Sequence, residues 1–200
     1  MIGLTQASIM NAKEIQAAVK RVEEKFAGQV TVAPYYFQDE MRFGTRTELG
    51  RRWTACGVRP SGEQLIGYEF GYLSLALNPA TGEMFALILP DMRVESFQAF
   101  LDEFIKFIGE KRCVRLITDG AAAHRSARLK VSEELRIEHL PPYSPELNPV
   151  ERLFKELRQA LKNRVFESLQ AVEEAVIEAI EPFMKDGSRV KKLTFYGWLH

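Results

Sequence analysis

Apolar positions in residues 11–26 recur at helical spacing, with Ile15, Ala18, Val19, Val22 and Phe26 separated by charged residues, and Gly28 closes the pattern. A short amphipathic helix is expected there. From Pro34 to Phe43 the period drops to two: Tyr35, Phe37, Asp39, Met41 and Phe43 share one face of a strand, and Tyr36, Gln38, Glu40 and Arg42 share the other. Residues 64–89 hold two β-rich runs on either side of Asn78-Pro79-Ala80-Thr81-Gly82, a hairpin composition. After Pro90 the helical period returns through Phe97, Phe100, Leu101, Phe104, Ile105 and Ile108. Val114 to Thr118 then makes a short buried strand ending at Asp119-Gly120. Residues 122–131 read as a helix and Arg136 to Leu140 as a strand. A Pro-rich loop, Pro141 to Pro145, leads into a long helix from Pro149 to about Val165, and another helix covers roughly 168–184.

Antiparallel strands followed by alternating helix and strand predict an α/β fold, a mixed sheet flanked by helices in the order of ribonuclease H-like proteins. With 200 residues, 46% apolar and 27% charged, the chain has material for one well-cored domain and too little for two. Residues 1–33 read as an amphipathic helix and linker, 34–166 as the main domain, and 167–200 as a helix and tail packing on that same domain. Lys and Arg number 27 and so do Asp and Glu, so the total charge points to neither nucleic acid nor membrane. Its distribution changes the picture, because residues 111–165 hold 12 basic against 7 acidic residues while 1–110 hold 11 against 14. The longest apolar runs, 71–77 and 84–89, fall well short of the roughly 18 residues of a spanning helix. The N-terminus lacks the basic segment and apolar core of a secretory signal, so a cytoplasmic protein with no membrane partner is expected. Cys56 and Cys113 have no Cys or His nearby at metal-ligand spacing and read as buried thiols.

Three carboxylates are out of place. Asp39 falls in the middle of an apolar strand face, where an ionised group without partners costs several kcal/mol. A salt bridge, a turn misread as strand, or a functional site each explains it. Glu40, on the opposite face, reads as a solvated or hairpin-pairing residue. Asp119 ends an apolar strand, where ligand sites collect in α/β sheets, although an Asx turn or a helix N-cap accounts for it equally. Glu151 follows Asn148-Pro149-Val150, and a capping box explains all four residues. At 100° per residue, however, Lys155, Arg158 and Lys162 fall within about 40° of Glu151, beside a core stripe of Val150, Leu153, Phe154, Leu157 and Leu161. That row is either a solvated face or a track for a phosphate backbone. If the three acids meet at one edge of the sheet, they supply the oxygen donors of hard divalent cations. Two such ions about 4 Å apart clamp both the attacking and the leaving oxygen of a phosphodiester.

Four motifs follow one another between about residues 34 and 166: Tyr36-Phe37-Gln38-Asp39-Glu40-Met41-Arg42-Phe43-Gly44; Arg52-Trp53 with Gly57-Val58-Arg59-Pro60; Thr118-Asp119-Gly120 with His124; and Pro141-Pro142-Tyr143-Ser144-Pro145-Glu146-Leu147-Asn148-Pro149-Val150-Glu151. In content and order they resemble the DDE transposases of bacterial insertion sequences in the mariner-type superfamily. The closing Leu193-Thr194-Phe195-Tyr196-Gly197-Trp198 is similar to that family's C-terminal tail. The resemblance implies a ribonuclease H-like catalytic domain at 34–166 whose catalytic, metal-binding acids are Asp39, Asp119 and Glu151. These would hold two Mg²⁺ or Mn²⁺ ions, with Asp39 contacting both. It implies hydrolysis of DNA at the element's ends, then strand transfer into target DNA, by a nucleoid-associated protein that is a homodimer on DNA. It also implies a helix-turn-helix region, which the roughly 33 residues before the first motif cannot hold, so the chain reads as a catalytic half: either one reading frame of a split gene, with a separate N-terminal helix-turn-helix half as its partner, or an isolated fragment. The same motifs would also suit a non-catalytic DNA- or transposase-binding remnant, or a ribonuclease H-like endonuclease without strand transfer. The three intact acids argue against the remnant.

The chain departs from the family at Gly120, where the family often has Asn. His124, at a matching position, is either a hydrogen-bond donor at the site edge near DNA or a helix-surface residue. Arg125, Arg128 and Lys130, like Lys155, Arg158 and Lys162, are either phosphate contacts or solubilising charges. Trp53 reads as hairpin core rather than a base-stacking platform. Tyr143 reads as packing of the Pro-rich loop rather than a stack on a nucleotide.

Overall fold

The computed structural model describes residues 34–109, 113–142 and 144–196; the expected helix at 11–26 and Tyr143 lie outside the described residues. Strands β1 (Tyr35–Gly44), β2 (Phe70–Leu77) and β3 (Met84–Leu89) form an antiparallel meander. On the other side of β1, β4 (Val114–Thr118) and β5 (Leu135–His139) add in parallel, giving the order β3-β2-β1-β4-β5. This is the mixed, ribonuclease H-like α/β sheet that the element order predicts. The turn between β2 and β3 is held by the Asn78 side chain, which accepts from the N–H groups of Ala80 and Thr81. Gly82 closes it at φ 78°, a left-handed conformation that glycine adopts without strain.

Helix α1 (Val94–Ile108) buries Phe97, Phe100, Leu101, Phe104 and Ile108 against Tyr36, Ala76, Leu116 and Leu135 of the sheet. The Phe104 ring meets Tyr36 edge to face at 5.2 Å. Each such fully buried side chain contributes roughly 1.5–3 kcal/mol. On the opposite face α2 (Val150–Leu161) and α3 (Leu169–Lys185) lie against β1 and β2. α2 buries the stripe its sequence predicts: Val150, Leu153, Phe154, Leu157 and Leu161. The central strand β1 is therefore covered on both faces over most of its length, and Tyr36 and Gln38 are as deeply buried as Met41.

Several expectations fail, each for a local reason. Residues 122–131 form successive turns, not a helix, because the segment is tied to α1: Gln98 brackets the Lys130 backbone at both N–H and C=O, and Arg128 pairs with Glu95. α2 stops at Leu161 rather than near Val165. Asn163 follows it at φ 60°, and its N–H is taken by the Glu48 carbonyl at 2.8 Å. A further helix, α4 (Gly187–Thr194), begins where the chain reads as tail, nucleated by Asp186, whose carboxylate accepts from the Ser188 N–H at 3.0 Å. Trp53, Cys56 and Cys113 are exposed, not core. Trp53 and Cys56 lie in the long connection 45–69, which crosses the surface without strand structure. Among the described residues no helix is long and apolar enough to cross a membrane.

Candidate active site

β1 and β4 run parallel with Phe37 opposite Ile117. Two residues further along each strand are Asp39 and Asp119, so the register alone sets these acids side by side at the C-terminal end of β4. Glu151 enters from the first turn of α2. The three carboxylates, from three elements, line one open cavity of about 440 Å³ together with Gly120, Arg125 and Asn148.

Asn148 joins two of these elements. Its Nδ2 donates to the Gln38 carbonyl at 3.2 Å and to Asp39 Oδ2 at 3.1 Å, while its Oδ1 accepts from the Val150 N–H at 3.2 Å. One buried side chain thus ties the middle of β1 to the start of α2. The expected capping box does not form: the Asn148 N–H is taken by the Pro145 carbonyl, and Glu151 Oε2 accepts from Arg158 at 3.3 Å instead. Glu151 is thereby left out of capping and faces the cavity. Asn148→Ala is expected to cost about 1–3 kcal/mol by orphaning buried polar groups on both elements. Urea unfolding checks this, and an unchanged midpoint would remove the tie.

Asp119 does make the Asx turn that its sequence allows, accepting from the Ala121 N–H at 3.0 Å, and the same Oδ1 faces His124 Nδ1 at 2.6 Å. The His124 hydrogen bond is the main reason the Asp119 carboxyl sits below its usual pKa. His124 is neither on a helix surface nor open to DNA. It is buried against Phe97, with ring centroids 4.2 Å apart, and its Nε2 faces Glu40 Oε1 at 3.3 Å. Burial opposes a charge on the ring, but the hydrogen bonds to Asp119 and Glu40 outweigh it and lift its pKa to about 9. Glu40, expected to be solvated or to pair across the hairpin, is not solvated: its side chain is 5% exposed, and it stands opposite Ser74 of β2, whose Oγ donates to it at 3.4 Å.

Asp39 has no cation beside it among the described residues. Burial pushes its carboxyl up to about 7, against the N–H of Glu40, and the charges of Glu151, Glu40 and Asp119 push the same way as burial. The salt-bridge explanation is therefore not realised. Asp119 Oδ2 and Glu151 Oε1 make no hydrogen bond among the described residues. An all-oxygen set of this kind, with Asp39 lacking a cationic partner among the described residues, suits Mg²⁺ or Mn²⁺. Among the described residues no three His, Cys, Asp or Glu side chains stand close enough to hold an ion by themselves.

Of the basic candidates, Arg125 lines the cavity. A Cβ on Gly120 would lie 2.5 Å from Arg125 Nη2, so the bare backbone next to Asp119 is what admits the guanidinium. Arg158 pairs with Glu151, and Lys155 is exposed on α2. Lys162 lies one residue beyond the helix, with Nζ 3.2 Å from Gln159 Oε1, so the expected row is shorter than drawn. Arg128 is engaged by Glu95 on α1 and does not line the cavity. Glu40 and the bridging role of Asn148 escape a sequence reading. The only signal is that both stand inside the motifs that carry the acids.

Residues 34–173 match the family model described as DDE superfamily endonuclease. The uncharacterized protein y4pE/y4sA of Sinorhizobium fredii (strain NBRC 101917 / NGR234) is 29% identical over 132 residues, which cover 66% of this chain and 98% of that one. The insertion element IS630 uncharacterized 39 kDa protein of Shigella sonnei is 25% identical over 158 residues, covering 75% of this chain and 46% of that one. The chain thus spans just under half the length of that relative. Among solved structures, the catalytic domain of Mos1 mariner transposase superposes with a TM-score of 0.55 at 12% identity, covering 94% of this chain and 98% of that chain. The Mos1 mariner paired end complex with Mn gives a TM-score of 0.63 at 12% identity, covering 97% of this chain and 64% of that one. At these identities the two structures are alike in fold.

Proposed function

Because the chain belongs to the DDE superfamily endonucleases, we propose that it is the catalytic domain of a transposase, cutting and joining DNA at Asp39, Asp119 and Glu151. The observation that carries this reading is the meeting of three carboxylates from β1, β4 and α2 in one cavity, with Asp39 lacking any cationic partner among the described residues. The insertion-element relative and the Mos1 transposase fold support it. Two Mg²⁺ or Mn²⁺ ions held there would activate the attacking hydroxyl, of water or of a DNA 3′ end, and stabilise the leaving oxygen.

The chain's own residues orient the site. Asp39, on the central strand, feels the charges of both other acids. Asn148 fixes its Oδ2, the His124 ring fixes Asp119 Oδ1, and Arg158 fixes Glu151 Oε2. Arg125, set over Gly120, is placed to meet a non-bridging phosphate oxygen, with Lys155 continuing the contact along α2. The DNA partners are the transposon ends and target DNA, bound by a homodimer. The catalytic domain is 34–166, with α3 and α4 packed on it.

Incubation with a short duplex ending in a free 3′ hydroxyl, in Mn²⁺ and with plasmid target, tests this directly. Joined products are expected; nicks without joined products would favour a plain endonuclease. Each phosphate neutralised adds about 0.9 to the slope of log K against log salt. Arg125→Ala is therefore expected to lower that slope by about 1, and an unchanged slope would take Arg125 off the DNA.

A further inference from the structure

Glu40 is a buried acid with no part in the chemistry above. Its Oε1 accepts from Gln38 Nε2 at 2.5 Å and from Ser74 Oγ at 3.4 Å, and it faces His124 Nε2 at 3.3 Å. Its Oε2 is buried with no hydrogen-bond partner. No Lys or Arg pairs with it among the described residues. Enclosing a carboxylate in this way is costly, and the sheet does not need one there, since Gln38 on the same face is satisfied in part by Ser74.

What Glu40 does hold is the imidazole. The His124 ring is fixed at Nε2 by Glu40, at Nδ1 by Asp119 at 2.6 Å, and on its side by Phe97. It cannot rotate without losing both nitrogen contacts. Asp119, in contrast, sits at a strand end with its side chain 50% exposed, where among the described residues only the Ala121 N–H and His124 hydrogen-bond to the carboxylate. We propose that Glu40 is a positioning residue for Asp119, acting through His124: it clamps the ring so that Nδ1 holds Asp119 Oδ1 and leaves Oδ2 for the ligand of the cavity. This rests on the reading of Asp119 as a metal ligand. Partners one layer out from a metal ligand typically carry ten- to hundredfold in metal affinity.

The test is binding of Mn²⁺ alone to the metal-free full chain, followed by calorimetry and by the electron paramagnetic resonance of free Mn²⁺. Circular dichroism at the assay temperature monitors the fold. Glu40→Met is expected to weaken Mn²⁺ binding about ten- to hundredfold while the chain stays folded at the assay temperature. Glu40→Gln, whose amide oxygen still accepts from Nε2, should bind close to wild type. If the effect passes through the ring, the Glu40→Met/His124→Asn pair should bind no more weakly than His124→Asn alone. Wild-type affinity in Glu40→Met, or losses that multiply in the pair, would overturn the proposal. An Asp119→Asn chain binding Mn²⁺ as tightly as wild type would bring down the reading of Asp119 itself, a different and separable failure.

Discussion

Asp39→Asn and Glu151→Gln are each expected to lower Mn²⁺-dependent nicking of plasmid DNA by at least about a hundred- to thousandfold, the scale on which removing one charge-stabilising group acts in a preorganised site. The fold should survive, because neither carboxylate forms a buried ion pair that the packing requires. Asp39 also carries a stability signature. Its folded pKa, about 7, lies above the usual 3.8, so the native state holds the proton more tightly than the unfolded chain. The stabilising contribution is complete below pH 3.8 and is lost as pH rises through 7. A difference of this size corresponds to roughly 4 kcal/mol. Metal-free wild type should therefore lose stability relative to Asp39→Asn across pH 4 to 7. Mn²⁺ should restore stability at pH 7.5 in wild type and not in the variant. Parallel stability curves for the two proteins, or undiminished nicking by either variant, would mean that the acids have been misread.

His124→Leu is expected to destabilise the protein by about 3–5 kcal/mol at pH 7, because it strips the imidazole from a buried Glu40 and leaves that charge unpaired. For a chain of this length that is roughly 10 °C in Tm. The pH dependence separates this from loss of packing. The folded pKa of His124, about 9, is above the usual 6.5. Its contribution is fully present below 6.5 and fades as pH rises through 9. The gap between wild type and His124→Leu should accordingly narrow between pH 6.5 and 10. A constant gap over that range would assign the effect to Phe97 packing alone.

The period-two pattern of residues 34–43 placed β1, and the helical stripe from Val150 to Leu161 placed α2: α2 buries one continuous apolar stripe, and β1 keeps Phe37, Met41 and Phe43 buried on one face although its other face is covered too. Asp39 was legible as an anomaly on such a face. Its partnership with Asp119 was not, since that follows from the parallel register of β1 with β4, a long-range pairing that leaves no local trace. Glu40 misled for a related reason: alternation correctly puts it on the opposite face from Asp39, but whether that face is wet depends on a turn donated from residues 121–126. Residues 122–131 read as a helix because the ties of Arg128 to Glu95 and of Lys130 to Gln98 on α1 leave no local trace. Trp53 and Cys56 read as core on residue type alone, whereas the connection that carries them is exposed along most of its length. The motif resemblance sharpened what spacing left open, namely the expectation that three acids so far apart in sequence act together.

The most direct measurement is a crystal of the metal-free protein soaked in Mn²⁺, with anomalous scattering recorded at the manganese edge. Two peaks about 4 Å apart between the carboxylates of Asp39, Asp119 and Glu151 are the expected result. Manganese bound elsewhere on the surface, with that cavity empty at saturating Mn²⁺, would contradict it.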